Sequence, residues 1–305
     1  MNKQNEFNQE SGAVIVFFVL ILTVLLGISA FVVDVGFLQW QKRHLQNTAD
    51  ASALAGAREY IDGTPTLANI TNVVNQYVLL NDVVVTEVKS VTLDNVDSPN
   101  NNTVTVVLSG NRQLFFGRIF GYNKSGLEVK STAIAAPISG ISGLIPFTIT
   151  ETRLTQLNQG QTFILYEEID TSSGNWGTIN FEPPGSAGVN KLKEWTRNGY
   201  DGIIRIGENI SASPGAGLNA NDWDNIVGTR AENGDILVVP VVQTISSSGT
   251  STPMPVLGFA ALSLTEIRGQ GNEIELHATF IDTIEIGDVD PTAPNYNLQG
   301  LRLIE

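Results

Sequence analysis

The chain has no cysteine. That removes disulfide scaffolds, thiolate metal sites and thiol nucleophiles from consideration. Histidine is almost as scarce, with His44 and His277 as the only two. A Ser–His–Asp triad would have to use His277, and no G-x-S-x-G elbow accompanies it. No P-loop, dinucleotide fingerprint or H-E-x-x-H is present. Basic residues are few as well: 17 Lys and Arg stand against 31 Asp and Glu, for a net charge of −14. Almost all of that charge lies after residue 33. An acidic surface repels phosphate backbones, so nucleic acid is excluded as a partner, and so is docking to anionic lipid through a broad basic face. The expectation is a protein with no enzyme activity and no cofactor.

What is present in abundance is apolar sequence, and one uninterrupted run of it stands near the start. Ala13 to Val33 carries no charge, and Thr23 and Ser29 are its only polar side chains. As a helix this stretch rises about 31 Å, close to the thickness of a bilayer's hydrocarbon core. A core helix rarely stays apolar on every face for so long. A signal peptide would have a shorter apolar region after a basic start, whereas Lys3 is offset here by Glu6 and Glu10. Residues 13–33 therefore read as an uncleaved membrane span. Lys42 and Arg43 after it slightly favour a cytoplasmic C-terminus on charge alone.

The helix is expected to continue. Residues 34–60 lack proline and are rich in Leu, Ala, Gln and Arg, which are good helix formers. Leu38, Leu45, Ala49, Ala53 and Gly56 or Ala57 share one face, which turns from large to small along its length. Small residues admit another backbone closely. That backbone is either the chain's own next helix or an assembly partner, including a second copy. Asp34, Ala49, Ala53, Gly56 and Ala57 are the candidate interface residues. Asp34, at the membrane edge, could face interfacial water or a partner's cation. A second helix is expected from a Thr64 cap and Pro65, with Ile70, Val73, Val74, Tyr77 and Val78 on its apolar face.

Beyond these helices the period changes to two. Strands are expected at 83–93, 103–108 and 127–135, with QLFFGRIFG (113–121) as a short helix between the last two. The run 135–146, AAPISGISGLIP, reads as a linker or tight crossover. Further strands are expected at 145–151, 161–169, 176–182, 203–207, 235–245, 254–266 and 273–286, with one helix at 191–200. VLGFAALSL (256–264) is apolar on both faces and suggests a central strand, while Pro240 implies an edge or a bulge. The fold class is α+β. The partition is a tail (1–12), a transmembrane helix (13–33), a helical stalk with a small two-helix, three-strand module (34–137), a linker (138–146) and a mostly β, sandwich- or barrel-like module (147–305).

Few side chains suggest ligands. NDWDN (221–225) and GDVDPTAPNYN (287–297) gather carboxylates and amides of the kind calcium accepts, with Asp288, Asp290 and Asn295 as weak candidates. Neither segment matches an EF-hand, and solvated turns explain both. Trp176, Trp195 and Trp223 could line a sugar-binding groove or serve as buried anchors. His277 reads as a solvated or cross-strand partner of Glu275 and Thr279, and His44 as a headgroup contact.

The segment VDVGFLQWQKRHLQNTADASALAGA (33–57), following an apolar helix, resembles the TadG-like proteins of the tight-adherence, or Flp, pilus-assembly system. Asp34, Val35 and Gly36 match that family's D-V-G. Arg43, Leu45, Gln46, Asn47, Ala49, Asp50, Ala51, Ala53, Leu54, Ala55, Gly56 and Ala57 match its R-x-L-Q-N-A-A-D-A-A-A-L-A-G-A. Phe115, Phe116, Arg118, Ile119, Phe120 and Gly121 are similar to its F-F-A-R-I-F-G segment. The resemblance implies a non-enzymatic envelope protein with a cytoplasmic N-terminus, an ectodomain outside the membrane, and other pilus-assembly or pilin-like proteins as partners. Phe17 stands five residues after Gly12, where processed pilins carry glutamate, so an uncleaved anchor is expected. The functional expectation is a membrane-anchored component of pilus assembly or adhesion. The alternatives are an anchored glycan- or matrix-binding module and a minor filament subunit.

Overall fold

A computed structural model describes residues 3–62, 65–94, 102–158, 160–167, 178–183, 188–212, 223–244, 253–270 and 273–304. Helix α1 runs unbroken from Lys3 to Asp62, about 90 Å at the usual helical rise. Its most apolar window has none of its surface covered by the rest of the chain. The hydroxyls of Thr23 and Ser29 donate to the carbonyls of Val19 and Leu25, each at 2.8 Å, so the span exposes no unsatisfied hydroxyl.

Helix α2 is Leu67–Leu80. Thr66, not Thr64, is its cap: the Thr66 hydroxyl accepts from the Asn69 N–H at 3.2 Å. Pro65 thus precedes the cap. Ile70, Val74 and Val78 form the buried face, while Tyr77 is exposed.

Both helices lie on a sheet that begins with β1 (Val88–Asp94), β2 (Asn102–Gln113) and β3 (Lys124–Ile141). They correspond to the three strands expected there and pair antiparallel in the order β1-β2-β3. The sheet then departs from that expectation, because the last strand of the chain, β14 (Leu298–Ile304), pairs antiparallel with β3. Strand β12 (Thr283–Ile284) lies parallel to β14. Strands β7 (Ile204–Arg205) and β13 (Asp288–Val289) pair with the far end of β3. The first four residues of the expected 138–146 linker are therefore strand. Strand β3 runs into it as far as Ile141 and buries Ala136, Ile138 and Ile141. Its glycines serve close approach: a side chain at Gly140 would come within 3.0 Å of both Arg205 and Asp288.

The second sheet has the order β4 (Ile149–Thr150), β9 (Ile236–Val242), β10 (Pro253–Gln270), β11 (Glu273–Ile281), β5 (Thr162–Glu167). Strand β8 (Asn209–Ala212) pairs with the start of β10, and β6 (Ile179–Asn180) with β8. Strand β10 is central, as its two apolar faces require, and a core lies on each side of it. Pro240 sits beside a bulge between Val256 and Gly258, and its carbonyl accepts from the Thr148 hydroxyl at 2.8 Å. Helix α3 (Glu151–Thr155) follows β4, and α4 (Val189–Asn198) buries its Leu192 and Trp195 in the core that also holds Val238, Val256 and Phe259 of the second sheet. The whole is α+β: a long apolar N-terminal helix, few other helices, and a mostly β C-terminal half.

Candidate functional site

Where the span meets the sheet, three levels of contact fasten α1 to the strands. The outermost is apolar. Leu45, Ala49, Ala53 and Ala57, spaced by four, are fully buried against Ile70, Val74 and Val78 of α2 and Val104, Val106 and Leu108 of β2. A side chain at Gly56 would lie 3.1 Å from Val104 Cγ1 and 3.2 Å from both Ile70 Cγ2 and Val74 Cγ2. The backbones meet that closely because the residues are small. This corrects the assembly-seam reading for Ala49, Ala53, Gly56 and Ala57: their face is covered by the chain's own helix and sheet. Full burial of a large aliphatic side chain is worth about 1.5–3 kcal/mol. The exposed Lys89–Glu128 pair of the same module contributes about 1 kcal/mol at most. The apolar seam therefore dominates this level.

The middle level is polar. Arg112, at the end of β2, forms a two-pronged ion pair with Glu87 at 2.8 and 2.6 Å and donates to Gln41 of α1 at 3.1 Å. Both partners of the pair are largely buried. Nothing in the sequence pairs these three residues, since their separations exceed any local period.

The innermost level is Asp34. Its carboxylate accepts from the backbone N–H groups of Phe115 (2.8 Å), Phe116 (3.0 Å) and Gly117 (2.6 Å). Consecutive N–H groups form a concave anion nest, and here the anion belongs to the chain itself. Asp34 is only 7% exposed, so it faces neither water nor a partner's cation. Burial works against its charge, but the three N–H donors outweigh it, with help from Arg118, and hold its pKa below the ordinary value. Phe37 meets Phe115 edge to face at 4.9 Å, and Trp40 and His44 continue the aromatic row up α1.

Strand β2 descends as α1 ascends. From Gly56 to Asp34 the helix spans about 33 Å, and from Val104 to Phe115 the strand spans about 36 Å. The matched lengths bring the β2–β3 tip to the first residue after the apolar span. The tip is the FFGRIFG segment, a 3-10 turn over Gly117–Phe120 closed by Gly121 at φ +85°.

The other candidates stay apart from this junction. Asp288 pairs with Arg205 at 3.1 Å, Asp290 accepts from the Thr292 N–H and hydroxyl at 2.8 and 2.7 Å, and Asn295 accepts from the Asn297 N–H at 2.9 Å. The three calcium candidates thus use their oxygens on separate protein donors, and no group of three acidic or histidine side chains converges among the described residues. Of NDWDN, residues 221 and 222 lie outside the described residues. Trp195 is buried among Phe181 and Tyr200 as a core anchor. Trp176 lies outside the described residues, and only the backbone of Trp223 is described. His277 is largely buried and bonds Glu275 along its own strand at 2.9 Å.

No curated protein and no solved structure matches the chain. One family model does match, described as "Putative Flp pilus-assembly TadE/G-like", over residues 12–59. Those residues are the apolar run, the Asp34 clasp and the buried small-residue seam, so the element that joins the apolar helix to the first sheet is the part of the chain that is similar to the TadE/G-like Flp pilus-assembly family.

Proposed function

We propose that the chain is a non-enzymatic, single-pass component of the Tad/Flp pilus-assembly machinery, with its N-terminus in the cytoplasm and its β-rich ectodomain outside the membrane. One observation carries the reading: the Tad-matching segment is one continuous helix, bare over its apolar half and buried along one face of the other half in the ectodomain's own core. A helix built this way transmits position from the bilayer to the sheet without a flexible joint. The small-residue face is already occupied within the chain. This favours an anchored base component over a filament subunit that packs through the same face. The ectodomain then presents a surface to other assembly proteins.

The test is to shear surface filaments from cells and quantify the chain in filament and washed-membrane fractions. Retention in the membrane, with piliation lost on gene deletion, is the expected result. Recovery in the filaments would replace the base reading with a filament subunit. Normal piliation after deletion would remove the chain from assembly altogether.

A further inference from the structure

The tip of the β2–β3 hairpin gathers five exposed large apolar or aromatic side chains within eight residues, 115–122. Ile119 is 77% exposed, Phe120 71% and Tyr122 71%, and Phe115 and Phe116 are also open. From Leu114 to Asn123 the single charged residue is Arg118, in a chain of net charge −14. A soluble surface does not ordinarily leave so many large apolar side chains together. Their height decides what covers them. The Asp34 carboxylate holds the tip's backbone within hydrogen-bonding distance of the residue that ends the apolar span. The tip is thus continuous with the membrane surface of the span, at the level where aromatic rings and arginine favour the headgroup region. Trp40, 59% exposed, faces outward on the same row, about 9 Å further up the helix.

We propose that residues 114–122 are a second membrane contact, an interfacial wedge whose exposed aromatic and aliphatic side chains enter the bilayer's headgroup–acyl boundary beside the span. A single helix leaves an ectodomain free to tilt and rotate about its axis. A span and a wedge together fix both, and Asp34 joins them rigidly. Gly117 permits the join, because a side chain there would meet Leu114 at 2.8 Å and the Tyr122 carbonyl at 3.0 Å. The wedge rests on the reading of residues 13–33 as membrane-embedded.

The native chain lacks cysteine, so single cysteines carry an environment-sensitive fluorophore cleanly. Full-length Ile119→Cys, Phe120→Cys, Ile286→Cys and Leu22→Cys would each be labelled in vesicles of phosphatidylcholine and phosphatidylglycerol, with nitroxide lipids as shallow or deep quenchers. Ile286 is 95% exposed, and the neighbouring Gly287 packs against Gly140 at the far end of β3. All four positions are exposed, and circular dichroism would check that each variant matches the parent. The wedge predicts loss of fluorescence at 119 and 120 with the shallow quencher, none at 286, and loss at 22 with the deep quencher. Labels at 119 and 120 that behave like the one at 286, with 22 quenched, would overturn the wedge and leave the span standing. An unquenched label at 22 would remove the span and the wedge with it. Adding Asp34→Ala to Ile119→Cys should reduce the shallow quenching while 22 stays quenched. Unchanged quenching would overturn the role given to Asp34.

Discussion

The Asp34 carboxylate accepts the Gly117 N–H at 2.6 Å across 83 residues of sequence. The bond joins the end of an apolar span to the tip of a β-hairpin, and two neighbouring N–H groups reinforce it. Asp34→Asn keeps one acceptor oxygen and loses the charge; Asp34→Ala loses both. Hydrogen exchange over residues 112–118 should rise in the order wild type, Asn, Ala.

The same carboxylate gives a pH dependence. Its folded pKa lies below 3.8, chiefly because burial is outweighed by the Gly117, Phe115 and Phe116 N–H donors. A depressed folded pKa stabilises fully above the unfolded value and is lost as pH falls through the folded one. Acid unfolding of the wild type should therefore contain a component below pH 3.8 that Asp34→Asn lacks. Identical acid profiles would count against the clasp.

The apolar seam should be sensitive to size in both directions. Leu45→Ala removes a fully buried side chain and should cost about 2–5 kcal/mol. Gly56→Leu collides with Val104, Ile70 and Val74 and should cost about 1–3 kcal/mol. Urea titration of the full chain in detergent reads both.

Arg112 and Glu87 are within 15–18% of full burial at the side chain and paired through two bonds. A double-mutant cycle with Arg112→Met and Glu87→Gln should return a coupling of about 0.5–3 kcal/mol. Arg112→Lys should not restore it, because an ammonium cannot span both carboxylate oxygens and Gln41.

The Tyr296 hydroxyl donates to Glu151 at 2.8 Å, and its ring lies over Gly258. Burial first, and Glu151 second, push its pKa above the ordinary 10.0. A raised folded pKa stabilises below the unfolded value and is lost as pH rises through the folded one. Stability should therefore decline above pH 10, and Tyr296→Phe should remove that part of the decline. At neutral pH Tyr296→Phe should cost about 1.5–3 kcal/mol, the range for a hydrogen bond to a charged group.

Deleting residues 298–305 should expose the edge of β3 and destabilise both sheets, because β14 lies beside β3 and Leu298 sits in the core under β10. Limited proteolysis should then cut within 124–141. A fragment ending at residue 141 should likewise fail to resist protease, although the sequence places a module boundary there.

Much was legible in the linear sequence for a simple reason: period and composition report which side of an element meets water. The charge-free run 13–33 specified a helix bare to its surroundings, the alternation in 273–281 specified β11, and the double-sided apolarity of 256–264 specified a central strand. Period does not say what covers a buried face. Ala49, Ala53 and Gly56 would look the same under a partner's helix as under Ile70 and Val104, and only the fold chooses between them. Composition misled at 138–141, where Ser139 and Gly140 serve close packing of β3 against β7 and β13 instead of a flexible connection. A carboxylate accepts from any donor that reaches it, so Asp34 carried no trace of the hairpin tip. The sequence alone determined an α+β protein with one apolar N-terminal helix long enough to cross a membrane; the long-range packing of β2 on α1 and pairing of β14 with β3 decided how that helix is joined to the rest of the chain.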